Sequence, residues 1–326
     1  MAWRWLSAVP RKLLRIDPCE VLFSRRGFPE SSPLRPRLEQ VGATFLQGYH
    51  AALEEPAPVP LAERLQQMDR ELWGFAYEGA AMGLALQDGL FPWGGGRWNR
   101  FLASSGEAHC YLLYVGYGWA VARLPWQRAG LERRLARLDP LLRWLVLDGF
   151  GFHEGYFHGQ RELQNPARGR RWDGYARRAF DQGLGRSVWF AAGGDLSRVV
   201  AILDRIPIQR KPDLWSGVGL ACAYAGALSD DSLRQLLDRA GDCRGELALG
   251  AAFAAKARQR AGNMAPHTER ACEFLCGCDV QAAARITDEA LNNLPPDRPD
   301  QPAFEAWRTR IRQTFDQGAT RYAACP

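Results

Sequence analysis

Ionisable side chains are scarce in the apolar stretches of this 326-residue chain, so those that do occur there invite a chemical reading. The densest cluster is Asp148-Gly-Phe-Gly-Phe-His153-Glu154-Gly-Tyr-Phe-His158, which holds two of the five histidines. On a helix, Glu154 and His158 share a face at i,i+4 and His153 points elsewhere. The Glu154/His158 pair reads either as a hydrogen-bonded structural couple or as a metal or proton-relay site. Its spacing is not H-E-x-x-H, which excludes a zincin. His153 working against Asp148 or Glu154 is the acid–base reading. Glu78 stands alone in Phe75–Gln87 (FAYEGAAMGLALQ). A buried carboxylate is either paired or held with a raised pKa, so Glu78 is either a general acid or the partner of a buried arginine. In AFDQGLGRSVW (179–189), Asp181 and Arg186 flank two glycines. The segment reads as an anion cradle built on Arg186 or as a helix boundary with a structural Asp–Arg pair. Asp213 reads as the N-cap of a following helix. Cys272, Cys276 and Cys278 are spaced C-x3-C-x-C without a second pair at zinc-ribbon spacing, and read as small buried thiols on a helix.

The elements that must position these groups are helices. Val, Ile and Thr, the residues that suit a pleated surface, number only 12, 6 and 6. Ala, Leu and Arg, which favour helix, abound. Apolar spacing predicts a helix over 37–54, ended by Pro56, Pro58 and Pro60, and amphipathic helices over 131–147, 196–206 and 303–317. Between them lie Phe75–Gln87, Ala108–Ala122, Leu214–Ser229 and Leu247–Ala255, which carry almost no charge. They are shorter than the ~18 residues that span a bilayer, so they predict buried central helices. Each combines an aromatic residue with closely spaced Gly and Ala, and over 213–260 the order is helix, short turn, helix. The expected fold is all-α: one domain over 1–326 of packed antiparallel helical hairpins, solenoid-like, with an apolar inner layer, an arm and loop over 1–36 and a body over 37–326. The spacing is too uneven, read this way, to assign a named repeat.

Composition removes several classes. A net charge of +6 is scattered and comes almost wholly from arginine, with lysine only at positions 12, 211 and 256. No basic run alternates with aromatics, so nucleic-acid binding is not expected. There is no G-x-S-x-G elbow, Walker loop or haem C-x-x-C-H, and Asp230-Asp231 does not continue into the D-D-x-x-D of class I terpene cyclases. The first 20 residues carry Arg4, Arg11, Lys12 and Arg15 without a leader-length apolar run, so a cytoplasmic protein with free thiols is expected. Residues 1–16 mix Trp3, Trp5 and Leu6 with cations and are compatible with peripheral membrane contact. The 12 Trp, 15 Phe and 9 Tyr set beside small residues point to an aromatic cavity for a hydrocarbon, polyene or isoprenoid, or to an aromatic core alone.

The strings Arg26-Gly-Phe28, FAYEGAAMG (75–83), YVGYGWAVARL (114–124), LDGFGFHEGYF (147–157), AFDQGLGRS (179–187) and LWSGVGLACAYAG (214–226) together resemble the UnbL family, a bacterial domain of unknown function found in enediyne biosynthetic clusters. The resemblance implies a role in secondary metabolism on a linear polyene bound for a polyyne or enediyne core, beside other cluster-encoded proteins. It supplies no catalytic set and no cofactor. From the residues themselves, Glu78, Asp148, His153 and Asp181 are expected to handle protons, with Arg186 meeting a polar head group. Tyr77, Trp119, Phe152, Tyr156, Trp189 and Trp215 are expected to line the pocket, with no metal ligand among these positions. A proton-initiated cyclase and a non-catalytic scaffold for partner enzymes are the alternative readings.

Overall fold

The computed structural model describes residues 14–91, 95–164, 172–226, 228–298 and 301–323. Every regular element among them is helical. Seven long helices form an inner layer: α1 (Arg35–Glu54), α2 (Trp73–Leu90), α3 (Cys110–Arg123), α4 (Trp144–Gln164), α5 (Gly174–Ala191), α6 (Lys211–Ala225) and α7 (Arg244–Ala261), each packed on the next. Shorter amphipathic helices cover them, and their starts are capped from the sequence. Asp195, Ser229 and Asp279 accept backbone N–H bonds at the heads of Leu196–Leu203, Asp230–Ala240 and Val280–Glu289. A final helix, α8 (Ala303–Ala323), packs on α7. This is the expected all-α domain of helical hairpins with an apolar inner layer.

The inner helices repeat more regularly than their apolar spacing suggests. A close-contact position falls at Leu46, Gly79, Gly116, Gly149, Gly183, Gly217 and Gly250, at intervals of 33 or 34 residues with one of 37. A second small residue often follows two positions later, giving G-x-G in α3, α4, α5 and α6. The first glycine of each pair faces the preceding helix and the second faces the next. A Cβ on Gly183 would lie 1.7 Å from the Asp148 carbonyl oxygen, and one on Gly151 would lie 2.0 Å from that of Phe180. The same register recurs at each step: Gly149 on Val115, Gly118 on Val146, Gly217 on Gln182, Gly185 on Leu214, Gly250 on Ser216 and Gly219 on Leu247. Backbones therefore touch directly along the whole row, and a β-carbon would force neighbouring helices apart. The G-x-G pairs have nothing to do with a nucleotide.

Neighbouring inner helices run in the same direction. In α4 and α5 the early residues Trp144 and Tyr175 meet, as do the late residues Gly155 and Ser187. The row curls until its ends touch. Arg37 of α1 donates to the Ala225 carbonyl at 2.9 Å, and Arg258 of α7 donates to the carbonyls of Tyr224 at 2.7 Å and Glu71 at 3.0 Å. Phe75 of α2 meets Tyr224 of α6 edge-on, with centroids 5.1 Å apart. The inner face of the row thus becomes a narrow lumen.

Three local expectations change. The stretch 131–147 is not one helix: Leu131–Leu135 ends before Pro140, and α4 begins at Trp144. Asp213 is no cap, because α6 opens at Lys211 with Pro212 in its first turn. Its buried carboxylate instead accepts from Arg308 at 2.7 Å and Arg178 at 2.9 Å. Finally, α4 leaves helical geometry at His158 (φ −129°, ψ 28°), so Glu154 and His158 do not share a continuous helix face.

Candidate functional site

The repeat assigns the lumen positions. The residue before the first close-contact position and the residue three after it lie four apart, on one helical face. Phe45, Glu78, Val115, Asp148 and Gln182 occupy the first of these. Met82, Trp119, Phe152, Arg186, Leu220 and Phe253 occupy the second, and all eleven line the lumen. Most are apolar. The exceptions stand together in the middle.

Arg186 is the centre of that group. Its Nη1 donates to Asp148 Oδ1 at 2.7 Å and its Nη2 approaches Glu78 Oε2 at 3.4 Å. Gln182 Nε2 donates to Asp148 Oδ2 at 2.9 Å, and the Trp119 indole N–H donates to Glu78 Oε1 at 3.0 Å. The guanidinium lies over the Phe152 ring, 4.5 Å from its centroid. All five polar residues are buried. Two carboxylates around one guanidinium leave one negative charge in excess if both are ionised. Burial pushes the Glu78 carboxyl up to about 7, more than the Arg186 guanidinium pulls it down. Glu78 thus holds or releases a proton near neutral pH, and Asp148, at the shorter distance, balances Arg186.

Two apolar lobes of the lumen meet at this group. One, of about 530 Å³, is walled by Glu78, Phe45, Met82, Trp119, Phe152 and Tyr156. The other, of about 710 Å³, is walled by Asp148, Gln182 and Arg186 together with Tyr224, Phe253, Phe304 and Trp307. Phe75 and Phe190 border both. Gln182 Oε1 and the Tyr224 hydroxyl are buried there without a hydrogen-bond partner. The lobes are narrow slots between rings rather than one roomy chamber, a shape that fits a thin chain.

The structure brings together Glu78, Asp148, Arg186, Trp119, Phe152 and Tyr156 of the predicted set. His153 lies one ring away: it meets the Trp119 indole edge-on at 5.5 Å but lines neither lobe. Its Nδ1 is 3.2 Å from Glu154 Oε1, and burial lowers its pKa despite that carboxylate. Burial would raise the Glu154 pKa, but the His153 contact outweighs it and the pKa is lowered. Arg128 lies 3.8 Å from the same oxygen. Asp181 faces the other way, against Arg177 at 3.1 Å and Arg210 at 2.6 Å. Tyr77 stacks on His109 at 3.8 Å, while Trp189 and Trp215 are buried; none of the three lines either lobe. Sequence reading missed Gln182, Phe75 and Phe190. Gln182 stands in the same repeat register as Glu78 and Asp148, a signal visible once the glycines are aligned.

Among the described residues no group of three or more His, Cys, Asp or Glu is placed to hold a metal ion. Cys272 and Cys276 point their thiols at the Ala251 and Ala248 carbonyls of α7, at 3.8 and 3.4 Å, as packing residues. No helix among the described residues is long and apolar enough to cross a membrane. The arm expected to touch a membrane falls largely on residues 1–13, outside the described residues. The model of a family described as a protein of unknown function (DUF1702) matches residues 5–315. No curated protein and no solved structure matches the chain.

Proposed function

The chain belongs to the DUF1702 family, and from that premise we propose that it binds a long unsaturated apolar chain along the two-lobed lumen and moves a proton on it through Glu78. One observation carries the reading: a buried carboxyl with its pKa pushed up to about 7 borders a slot walled otherwise by aromatic and aliphatic side chains. A proton held at neutral pH in such a place suits general acid work. Glu78 gives its proton to one carbon of a conjugated chain. The cation that forms spreads along the chain, opposite the faces of Phe45, Trp119 and Phe152. Loss of a proton from another carbon to a carboxylate then restores the alkene. The step is redox-neutral and shifts double bonds. The resemblance in sequence places it in secondary metabolism, on the way from a linear polyene toward a polyyne or enediyne core.

A cyclase reading shares the first step and differs in the second, where a double bond of the same molecule captures the cation before the proton leaves. Incubation in D₂O with a linear conjugated polyene, and separately with a prenyl diphosphate, followed by mass analysis, tests both. Deuterium in recovered linear material supports the proton-shift reading, and deuterium in a ring product supports the cyclase. Either label should vanish in Glu78→Gln. Absence of binding and of label with every polyene would overturn the proposal and leave the scaffold reading, for which tight association with cluster-encoded proteins is the readout.

A further inference from the structure

Two residues of the Glu78 lobe have a second face. Tyr156 and Phe157 line that lobe and also floor a wide, open cleft bounded by Arg25, Arg26, Phe28, His158 and Arg205. The cleft is built from three separate parts of the chain. The short helix Phe23–Arg26 ends in left-handed Gly27 (φ 69°), beside which a Cβ would meet nothing within 4 Å. The kink of α4 at His158 sets that ring at the surface, and the segment after Leu196–Leu203 contributes Arg205. Phe28 meets Tyr156 edge-on at 5.3 Å, and the Arg26 guanidinium lies 5.0 Å from the Phe157 ring centroid.

The charges of this cleft do not cancel. Glu20 is the carboxylate that meets its arginines, pairing with Arg25 at 3.1 Å and, more closely, with Arg26. Arg205 is exposed and has no carboxylate partner among the described residues. Arg26 Nε is buried without a hydrogen-bond partner. Three guanidinium groups therefore face one carboxylate, with His158 beside them, at the outer wall of an apolar slot. Arg186 cannot serve a head group, because Asp148 and Glu78 already occupy it in the interior.

We infer that this cleft holds the anionic head group, a carboxylate or a phosphate, of the same long-chain ligand whose tail lies in the Glu78 lobe. The inference rests on the ligand reading above. Guanidinium forks match either anion, and the shared floor of Tyr156 and Phe157 sets the head beside the tail. The ligand is accordingly an amphiphile rather than a bare hydrocarbon.

The test is a tryptophan-quenching titration with three probes on one conjugated chain: carboxylate-ended, monophosphate-ended and methyl-ended. At low salt an anionic probe should bind about tenfold more tightly than the methyl-ended one, with the advantage fading as salt rises. The exposed double variant Arg25→Gln/Arg205→Gln should remove that preference and leave methyl-ended binding unchanged. The tighter of the two anionic probes names the head group. Equal binding of all three, or a preference that survives the double variant, overturns the head-group inference and leaves the lumen reading intact. If no probe binds, the lumen reading fails and this inference fails with it.

Discussion

Glu78→Gln isolates the one group whose protonation the site is built to hold. Glutamine keeps the shape and an oxygen for the Trp119 indole N–H, and removes the titration. A carboxyl raised from 4.5 to about 7 carries an ionised form destabilised by about 3 kcal/mol. The sign follows from where the proton sits. Below pH 4.5 folded and unfolded chains both hold it, and the full stability is present. Between pH 4.5 and 7 the folded chain keeps a proton that the unfolded chain has released, so stability falls as pH rises. Above pH 7 both have lost it, and the loss is complete. The variant lacks this dependence. Urea unfolding of both proteins at steps from pH 4.5 to 8 therefore gives a difference curve in which Glu78→Gln gains about 3 kcal/mol on the wild type. Other groups that titrate in this range, such as His153, contribute to both proteins and drop out of the difference. A flat difference curve would refute the reasoning, because Glu78 would then be ionised throughout and no acid at neutral pH.

Asp148→Asn should behave in the opposite way. It leaves Arg186 buried beside a carboxyl that prefers its proton, and should cost about 3–5 kcal/mol in the same urea assay, with part recovered at high pH as Glu78 ionises. Gly183→Ala places a β-carbon 1.7 Å from the Asp148 carbonyl oxygen and should cost about 3 kcal/mol or more in thermal unfolding. Gly159→Ala, whose new carbon meets only Leu163 Cδ1 at 3.7 Å, should be neutral or slightly stabilising. Equal stability of the two alanine variants would mean that the backbone contacts along the inner row are not as close as described.

Much of the fold could be read from residue types, because buried helices advertise themselves. Uncharged stretches such as Leu214–Ser229 and Leu247–Ala255 have nothing to offer water, and they form the inner layer. What stayed hidden was the register. The spacing of apolar residues blurs when a helix is apolar all round, whereas the glycines are fixed by backbone contact and recur every 33 or 34 residues. The candidate site divides in the same way. Glu78 was legible as a lone charge in an apolar helix, and its two alternatives, buried acid and arginine partner, are both present. Asp181 and Arg186 looked like a pair because they are neighbours in sequence. At five residues apart they leave the helix on different faces, and each finds partners on another element. The ion-pairing of His153 with Glu154, adjacent residues at the rim of an aromatic cluster, depends on how α4 kinks at His158, which no short-range pattern announces.

The position of the polar group within the repeat bears on why it exists. Each inner helix offers the lumen the same pair of positions, and most of them are filled by Phe, Met, Val or Leu. An apolar residue at 78, 148 and 186 would continue the series, and packing alone gives no reason to depart from it. Well-packed apolar replacements of buried ionic groups are often neutral or stabilising by about 1–4 kcal/mol. The departure is also uneven. Arg186 holds Asp148 at 2.7 Å and Glu78 at only 3.4 Å, so one carboxyl neutralises the cation and the other is left to share a proton with whatever occupies the lobe beside it. Two like groups with different surroundings are how a site separates an acid from a permanent anion. Backbone contacts at Gly116, Gly149, Gly183 and Gly217 hold the carriers of these side chains in fixed register, so the asymmetry is built into the repeat rather than left to side-chain freedom.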